Sequence, residues 1–361
     1  MKVLLSSALV LLSLLASLAG AAGGDIVPGQ SYAPPAEREL ATAVGRPSPF
    51  GAKPQGTGRL AAALDESDGT PQPRVRASIA VVYPDIEEPY RSVFSNIIQG
   101  IRDEAKFPIV SYAIGAGASN IESELKRQSV HVVIVLGRNG LKATANLDPG
   151  IGVVVGGVLS VPESEIHGKS VFSLAPDPGL LFQRLHELVP GARRVITVYE
   201  PRQNAWLIRL AREAAPRRGL ELVAREATDL KGAMLAYREA IAAADPRTDA
   251  VWLPQDSVTV EDSSVLPLVL EEAWRRDLVV FSSSVAHVRR GALFALYPDN
   301  AALGRKLADS ALARVARDAR DGTITPLTDV FWAVNLRTAS HLGVDLDARR
   351  RQSFDLVFPE P

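Results

Sequence analysis

Two neighbouring polar segments carry the side chains best suited to chemistry. Pro254-Gln255-Asp256-Ser257 ends the apolar run Val251 to Leu253, and Ser282-Ser283-Ser284 ends the apolar run Leu278 to Phe281. Asp256, with Glu200 from an earlier segment, has the charge to hold a cation such as an ammonium. Arg138, in Leu136-Gly137-Arg138-Asn139-Gly140, offers a planar fork that fits a carboxylate. Ser282, Ser283 and Asn139 add neutral hydrogen bonds, and Tyr83 and Tyr199 have rings that could stack on a flat ligand. Each group also has a plainer reading. Arg138 reads equally as a solvated surface arginine, Asp256 as a helix cap or loop carboxylate, and the two tyrosines as the ends of their own cores.

This is chemistry for binding and not for catalysis. The sequence has no G-x-S-x-G elbow and no Walker A loop. Its histidines, His131, His167, His186, His287 and His341, never fall at H-x-x-x-H or H-E-x-x-H spacing. With no cysteine, the chain has no disulfide, thiolate metal site or cysteine nucleophile. Gly115-Ala116-Gly117 imitates part of a dinucleotide fingerprint, but it does not follow the first strand and no later glycine completes it. No catalytic residue, metal or cofactor is therefore assigned.

The elements that must position these groups alternate. Val75 to Tyr83 is a predicted strand, broken by Pro84 to Pro89. Phe94, Ile97, Ile98 and Ile101 then mark a helix face. Strands follow at Ile109–Ala113, His131–Leu136, Gly152–Val158 and Val171–Leu174, with a capping box at Ser119 and Glu122 opening one of the intervening helices. A second set begins after Pro176-Asp177-Pro178. It has a helix at Leu180–Leu188, strands at Arg194–Tyr199 and Leu220–Ala224, and a helix at Leu230–Ala244. The unit from Asp249 to Val285 completes it. Ala292–Leu296 and Leu327–Val334 read as late strands, with a long helix to about Val315 between them and a short closing helix at Leu336–Leu342. Continuously apolar strands alternating with helices imply parallel sheets covered on both faces. Ligands of such sheets lie beyond the carboxyl ends of the strands.

The 361 residues suffice for two domains of ordinary size. A net charge of −1 and a pI of about 6.6 leave no basic domain, which argues against nucleic acid as the main partner. Lys2, the apolar stretch Val3 to Leu18 and the small residues Ala19 to Ala22 form a secretory signal pattern over 1–22, with an uncleaved anchor as the alternative. Residues 23–73 are punctuated by proline and glycine and read as a linker or a surface extension. No later run is long and apolar enough for a membrane span.

Several stretches now gain a specific likeness. LLFQRLHELVPGARRVITVYEPRQNA, VWLPQDSVTV, VVFSSSVAHVRRGALFALYPDNAALGRKLADSALARV and VNLRTASHLGVDLD resemble the extracytoplasmic substrate-binding proteins of ABC importers, in the branch that includes tryptophan and tyrosine transport components. The likeness spans about residues 75 to 350 and is strongest in the second half. It implies a type I periplasmic-binding fold, an α/β architecture of two Rossmann-like three-layer lobes around a hinged cleft. The implied first lobe is 74–174 plus 299–321, and the second is 177–284 plus 327–345. It also implies chain crossings near Leu174–Pro178, Ser284–Asp299 and Asp321–Leu327. By the same likeness Asp256 stands at the aspartate of the V-P-T-D-N strand end, and Tyr199, Pro201 and Asn204 stand in the Y-x-P loop.

Two departures bear on the ligand. Phe281-Ser282-Ser283-Ser284-Val285 lacks the acid that usually follows the serine. Leu136-Gly137-Arg138-Asn139-Gly140 replaces a small Thr/Ser-Pro tip. A lost carboxylate and an added arginine favour an anion. The expected ligand is a small carboxylate-bearing molecule, an amino acid or aromatic acid, held by Tyr83, Arg138, Asn139, Tyr199, Asn204, Asp256, Ser282 and Ser283. The expected protein is a periplasmic monomer that serves a membrane permease. The competing readings are a ligand sensor or envelope interaction protein on the same two lobes, and a secreted hydrolase.

Overall fold

In the computed structural model the structure describes residues 79–359, except 88–89, 106–107, 116–120 and 317–321. The signal pattern, the proline-rich segment and Ser119 of the expected capping box lie outside the described residues.

The first half builds one sheet. Its elements are β1 (Ile79–Pro84), α1 (Tyr90–Ala105), β2 (Val110–Ile114), α2 (Ile121–Arg127), β3 (Val132–Leu136), α3 (Gly137–Ala143), β4 (Gly152–Val158), α4 (Glu163–Ile166) and β5 (Lys169–Pro176). The second half contributes α5 (Pro178–Leu188), β6 (Arg194–Tyr199), α6 (Pro201–Ala214), β7 (Glu221–Glu226), α7 (Leu230–Ala242), β8 (Asp249–Leu253), α8 (Val265–Trp274), β9 (Val279–Ser282), α9 (Val285–Arg290) and β10 (Phe294–Pro298). There follow α10 (Asn300–Ala316), β11 (Thr323–Leu327), β12 (Val330–Asn335), α11 (Leu336–His341), α12 (Ala348–Arg351) and β13 (Leu356–Phe358).

Two sheets result, with strand orders β11-β5-β4-β3-β1-β2 and β13-β12-β10-β9-β8-β6-β7. The first is parallel throughout. The second is parallel from β7 to β10, after which β12 and β13 run the opposite way. Helices flank both, so the molecule has two α/β lobes as the alternation implied. All five residues of β3 and all five of β8 are buried, which is what covered parallel strands require.

The predicted strand Leu327–Val334 corresponds to β12, which begins three residues later at Val330, and it is preceded by β11, a strand the sequence reading did not assign. β11 pairs with β5 in the first sheet, and β12 pairs with β10 in the second. Thr328 and Asp329 separate them. β11 is mostly half-buried, so its sequence carries little strand signal and the change of sheet does not show.

The cores are large. Trp252, Phe182, Phe281 and Phe294 fill the second lobe, and Ile79, Phe94, Ile97 and Ile134 fill the first. Burying each such side chain contributes about 1.5–3 kcal/mol. An exposed pair such as Arg275–Glu272 adds only about 0–1 kcal/mol, so burial decides the fold. Helix starts are fixed locally. Asp177 accepts from Gly179 N with Pro178 at the first helical position, Asp229 accepts from Gly232 N, and Asn335 accepts from Thr338 N.

Two helices approach unusually closely. α10 lies on α1, where Gly100 and Gly304 let the backbones touch. A methyl group built on Gly100 would stand 2.1 Å from the Ala301 carbonyl oxygen, and one on Gly304 would stand 2.1 Å from that of Ile97.

Candidate functional site

Topology brings the ends of the two sheets together. β5 and β11 leave the first sheet at their carboxyl ends for α5 and β12, and β10 leaves the second sheet at its carboxyl end for α10. The carboxyl edges of both sheets therefore face the crossings. The crossings are tied side by side. Leu327 pairs with Pro176, Asp177 N donates to Leu327 O at 2.8 Å, and Asp299 N donates to Asp329 O at 3.1 Å. Lys306 of α10 contacts Thr328 and the Asp329 carboxylate.

On the second lobe the edge is a buried polar network centred on Asp256. Its Oδ2 accepts from Glu200 N at 2.7 Å and from Asn204 Nδ2 at 2.9 Å. Its Oδ1 accepts from Val258 N and Thr259 N, both at 2.9 Å. Four bonds fill the accepting capacity of a carboxylate. Asp256 thus joins the loop after β8 to the start of α6. Glu200 caps that helix through Oε2, which accepts from Gln203 N at 3.0 Å. Thr259 Oγ1 and Tyr237 OH both donate to Val198 O, at 3.1 and 3.4 Å. Burial, reinforced by the Asp256 charge, pushes the Tyr237 hydroxyl far above the usual tyrosine range.

The serines after β9 are equally engaged. Ser283 Oγ accepts from Trp252 Nε1 at 3.1 Å. Ser282 Oγ lies 3.1 Å from Leu253 O and 2.7 Å from His287 Nδ1, and it accepts from Ser284 N. Burial, with a smaller contribution from Arg290, lowers the His287 pKa to about 3, so the imidazole stays neutral. The Tyr199 ring lies in the core with its hydroxyl donating to Glu226 Oε1 at 2.8 Å. Burial first, then that carboxylate, raises its pKa.

The first lobe differs. Gly137 opens α3 at φ +71°, and a methyl there would meet the Phe94 ring. The segment Gly137–Gly140, a loop tip in the sequence reading, is the first turn of this helix. Glycine at both ends hid that from propensity. Arg138 and Asn139 are exposed on it, and Arg138 Nη1 donates to Ser160 O at 3.4 Å, across to the end of β4. Among the described residues Arg138 makes no ion pair. Tyr83 is half-buried against the α1 side of its sheet, near Phe94 and Ile86.

Asn204 and Asp256 are therefore brought into direct contact, with Tyr199 beside them, and Ser282 and Ser283 sit on the adjacent strand end. Tyr83, Arg138 and Asn139 belong to the other sheet. Sequence reasoning did not select Gln255, Ser284 or Asn300. Their Oε1, Oγ and Oδ1 atoms are buried and lack hydrogen-bond partners among the described residues. All three stand at the carboxyl edge, after β8, β9 and β10. The available signal was position: each is the polar residue one or two places past a buried strand. Such orphans call for an explanation, and a ligand is one. Among the described residues no group of three or more metal-ligating side chains occurs, and no helix is long and apolar enough to cross a membrane.

The family follows from sequence as well as form. The chain belongs to the ABC transporter substrate binding protein family, whose profile matches residues 159–349. It is thus a solute-binding protein of the ABC-importer superfamily, a non-catalytic class. A substrate binding protein with adhesive properties from Clostridium difficile, solved ligand-free and open, is similar at a TM-score of 0.56 and 16% identity, covering 78% of this chain and 99% of its own. The ABC domain from Streptococcus pneumonia in complex with L-Trp is similar at 0.50 and 13%, covering 78% and 100%. At these identities the likeness is one of fold. No curated protein matches the sequence.

Proposed function

We propose that the protein traps a small carboxylate-bearing ligand, an amino acid or aromatic acid, outside the cytoplasm and delivers it to the permease of an ABC importer. The reading rests on one observation. The carboxyl edges of both sheets face the crossings; the exposed Arg138 stands on the first edge, and the orphan polar atoms of Gln255, Ser284 and Asn300 follow strands of the second. Arg138 takes the anion and Asn139 adds a hydrogen bond. Gln255, Ser284 and Asn300 complete the polar contacts. Asp256, Asn204, Tyr199, Ser282 and Ser283 hold the second-lobe loops in place, and Tyr83 backs the first-lobe edge. Closing the lobes excludes water, so the charged pair counts for more than it would on a surface. The tryptophan and tyrosine branch is the proposed place of this chain in its family, and the bound tryptophan of the Streptococcus pneumonia domain supports an aromatic amino acid as the first compound to try.

The test is a thermal-shift screen of the full chain against amino acids, aromatic acids and dicarboxylates, followed by calorimetry of each hit. The expected result is stabilisation by a carboxylate ligand and none by its ester or amide. Equal stabilisation by the uncharged analogues would overturn the anion reading. A broad screen without a stabilising ligand would favour a non-transport interaction protein.

A further inference from the structure

Two carboxylates are buried at the carboxyl edge of the second lobe, Glu200 after β6 and Asp256 after β8. They are adjacent, since the backbone N–H of Glu200 donates to Asp256 Oδ2 at 2.7 Å. Asp256 is spent on neutral donors, three backbone N–H groups and the Asn204 amide. Glu200 is bonded on one side only. Its Oε2 accepts from Gln203 N at 3.0 Å, while its Oε1 accepts no hydrogen bond among the described residues. The basic group paired with either carboxylate, among those residues, is Arg202, whose Nε lies 3.9 Å from Glu200 Oε1. That is beyond hydrogen-bonding distance. The Arg202 side chain is 90% exposed against 7% for Glu200, so solvent screens the pair. The edge thus holds two neighbouring negative charges, removed from water, beside one loosely placed cation. Buried charges are ordinarily paired, because an unpaired ion is costly to desolvate.

We propose that the missing cation is a protonated amine of the ligand, and that it binds at Glu200 Oε1. The assignment rests on the carboxylate reading above and narrows it. The ligand is zwitterionic, with its carboxylate on Arg138 of the first lobe and its ammonium on Glu200 of the second. Three features make Oε1 the subsite. The group is fixed, because the Glu200 backbone N–H and Oε2 are both held. The oxygen is reachable, because it is not among the unpartnered atoms sealed from solvent, as those of Gln255 and Ser284 are. The potential is right, because Asp256 beside it adds negative charge while its own oxygens are fully taken. An ammonium carries donors and no acceptor, so it matches a carboxylate oxygen that has nothing to accept. Selectivity follows from the same geometry. An acid of the same shape without the nitrogen leaves Glu200 enclosed and unpaired when the lobes close, so it is rejected by a penalty as well as by a lost attraction.

The experiment is calorimetry on the full chain with the common amino acids, each compared with its desamino acid and its methyl ester. L-Tryptophan, 3-indolepropionic acid and L-tryptophan methyl ester are one such trio. An amino acid is expected to bind at a single site, and its desamino acid about thirtyfold more weakly or worse. Glu200→Gln, which keeps an acceptor for Gln203 N, should bring the amino acid down to the level of its desamino acid and leave the desamino acid unchanged. Glu200→Asp keeps the cap and the charge but ends one carbon short. It should fall between the two, and it serves if the glutamine variant does not fold. Arg202→Ala should bind the amino acid at least as tightly as wild type. The proposal is overturned by a desamino acid that binds as tightly as its amino acid, by undiminished amino-acid binding in a folded Glu200 variant, or by loss in Arg202→Ala. Those results leave the carboxylate reading intact. Equal binding of amino acid and methyl ester, with the desamino acid excluded, would overturn the anion reading and uphold Glu200. Binding of none of the three classes would remove both.

Discussion

The carboxyl edges of the two lobes are built on opposite principles. The second-lobe edge is buried and bonded through: Asp256 satisfies four donors, Ser283 takes the Trp252 indole N–H, and His287 is kept neutral against Ser282. The first-lobe edge is glycine-rich and open, and its charged group, Arg138, reaches one acceptor among the described residues, Ser160 O, at 3.4 Å. One half is organised before any ligand arrives, while the other offers an exposed charge at its surface. The lesson is that polar residues at equivalent strand ends can do unlike work. Those that look most functional by type in the second lobe are spent on holding its loops, and substitutions in the two lobes should fail in different ways.

The largest effect should come from Asp256→Ala. It strands Glu200 N, Asn204 Nδ2, Val258 N and Thr259 N, and should lower folding stability by about 3–4 kcal/mol, read by urea unfolding. Asp256→Asn retains one accepting oxygen and should lose less. A loss under about 1 kcal/mol in Asp256→Ala would erase the contrast between the lobes. Arg138→Ala should do the reverse. Its melting temperature should match wild type, while affinity for a carboxylate ligand falls about thirtyfold, about 2 kcal/mol by calorimetry. Unchanged affinity would remove the anion clamp.

Acid should find the second lobe first. The folded pKa of His287 is about 3 against an ordinary 6.5, so the unfolded chain binds a proton that the folded chain refuses. Stability contributed by the neutral ring is therefore complete above about pH 6.5. It declines as pH falls from there towards 3, by about 1.4 kcal/mol per unit. Unfolding of wild type and His287→Gln at pH 7.5 and 5.5 checks this: the variant should show the shallower loss, and parallel losses would refute it. The smallest effect is expected for Ser283→Ala, which leaves the Trp252 N–H without its acceptor and should cost about 1 kcal/mol. A neutral result there would mean that water replaces the hydroxyl and that the edge is wetter than its burial implies.

The alternation of strands and helices was legible in the sequence because covered parallel strands are apolar at every position, as in VVIVL and DAVWL. The family likeness was legible in the second half, where the matched profile also lies. Other features were hidden for definite reasons. β11 is a short, mostly half-buried strand containing a proline, so neither its period nor the switch of sheet at Thr328-Asp329 stands out. The helix starting at Gly137 needs a positive φ and carries glycine at two of its first four positions. The partners of Asp256 lie more than 50 residues away in sequence, so its role as a joint is a property of the fold. β13 is too short to show a period; it pairs with β12 next to Asp355, whose carboxylate accepts from the Trp332 backbone N–H.

The approach of α10 to α1 has an implication for variation. At Gly100 and Gly304 the space beyond Cα is occupied by a carbonyl oxygen of the facing helix, and even alanine collides with it. Rotamer choice offers no escape, because the obstructing atom is backbone and the colliding atom is Cβ itself. These two positions thus have an alphabet of one letter, in a lobe whose edge exposes Arg138 and Asn139 to solvent. Substitution tolerance across the first lobe should be sharply bimodal, and a saturation library should show the two glycines as isolated vetoes in a helix pair that otherwise admits small and polar exchanges on its outer faces.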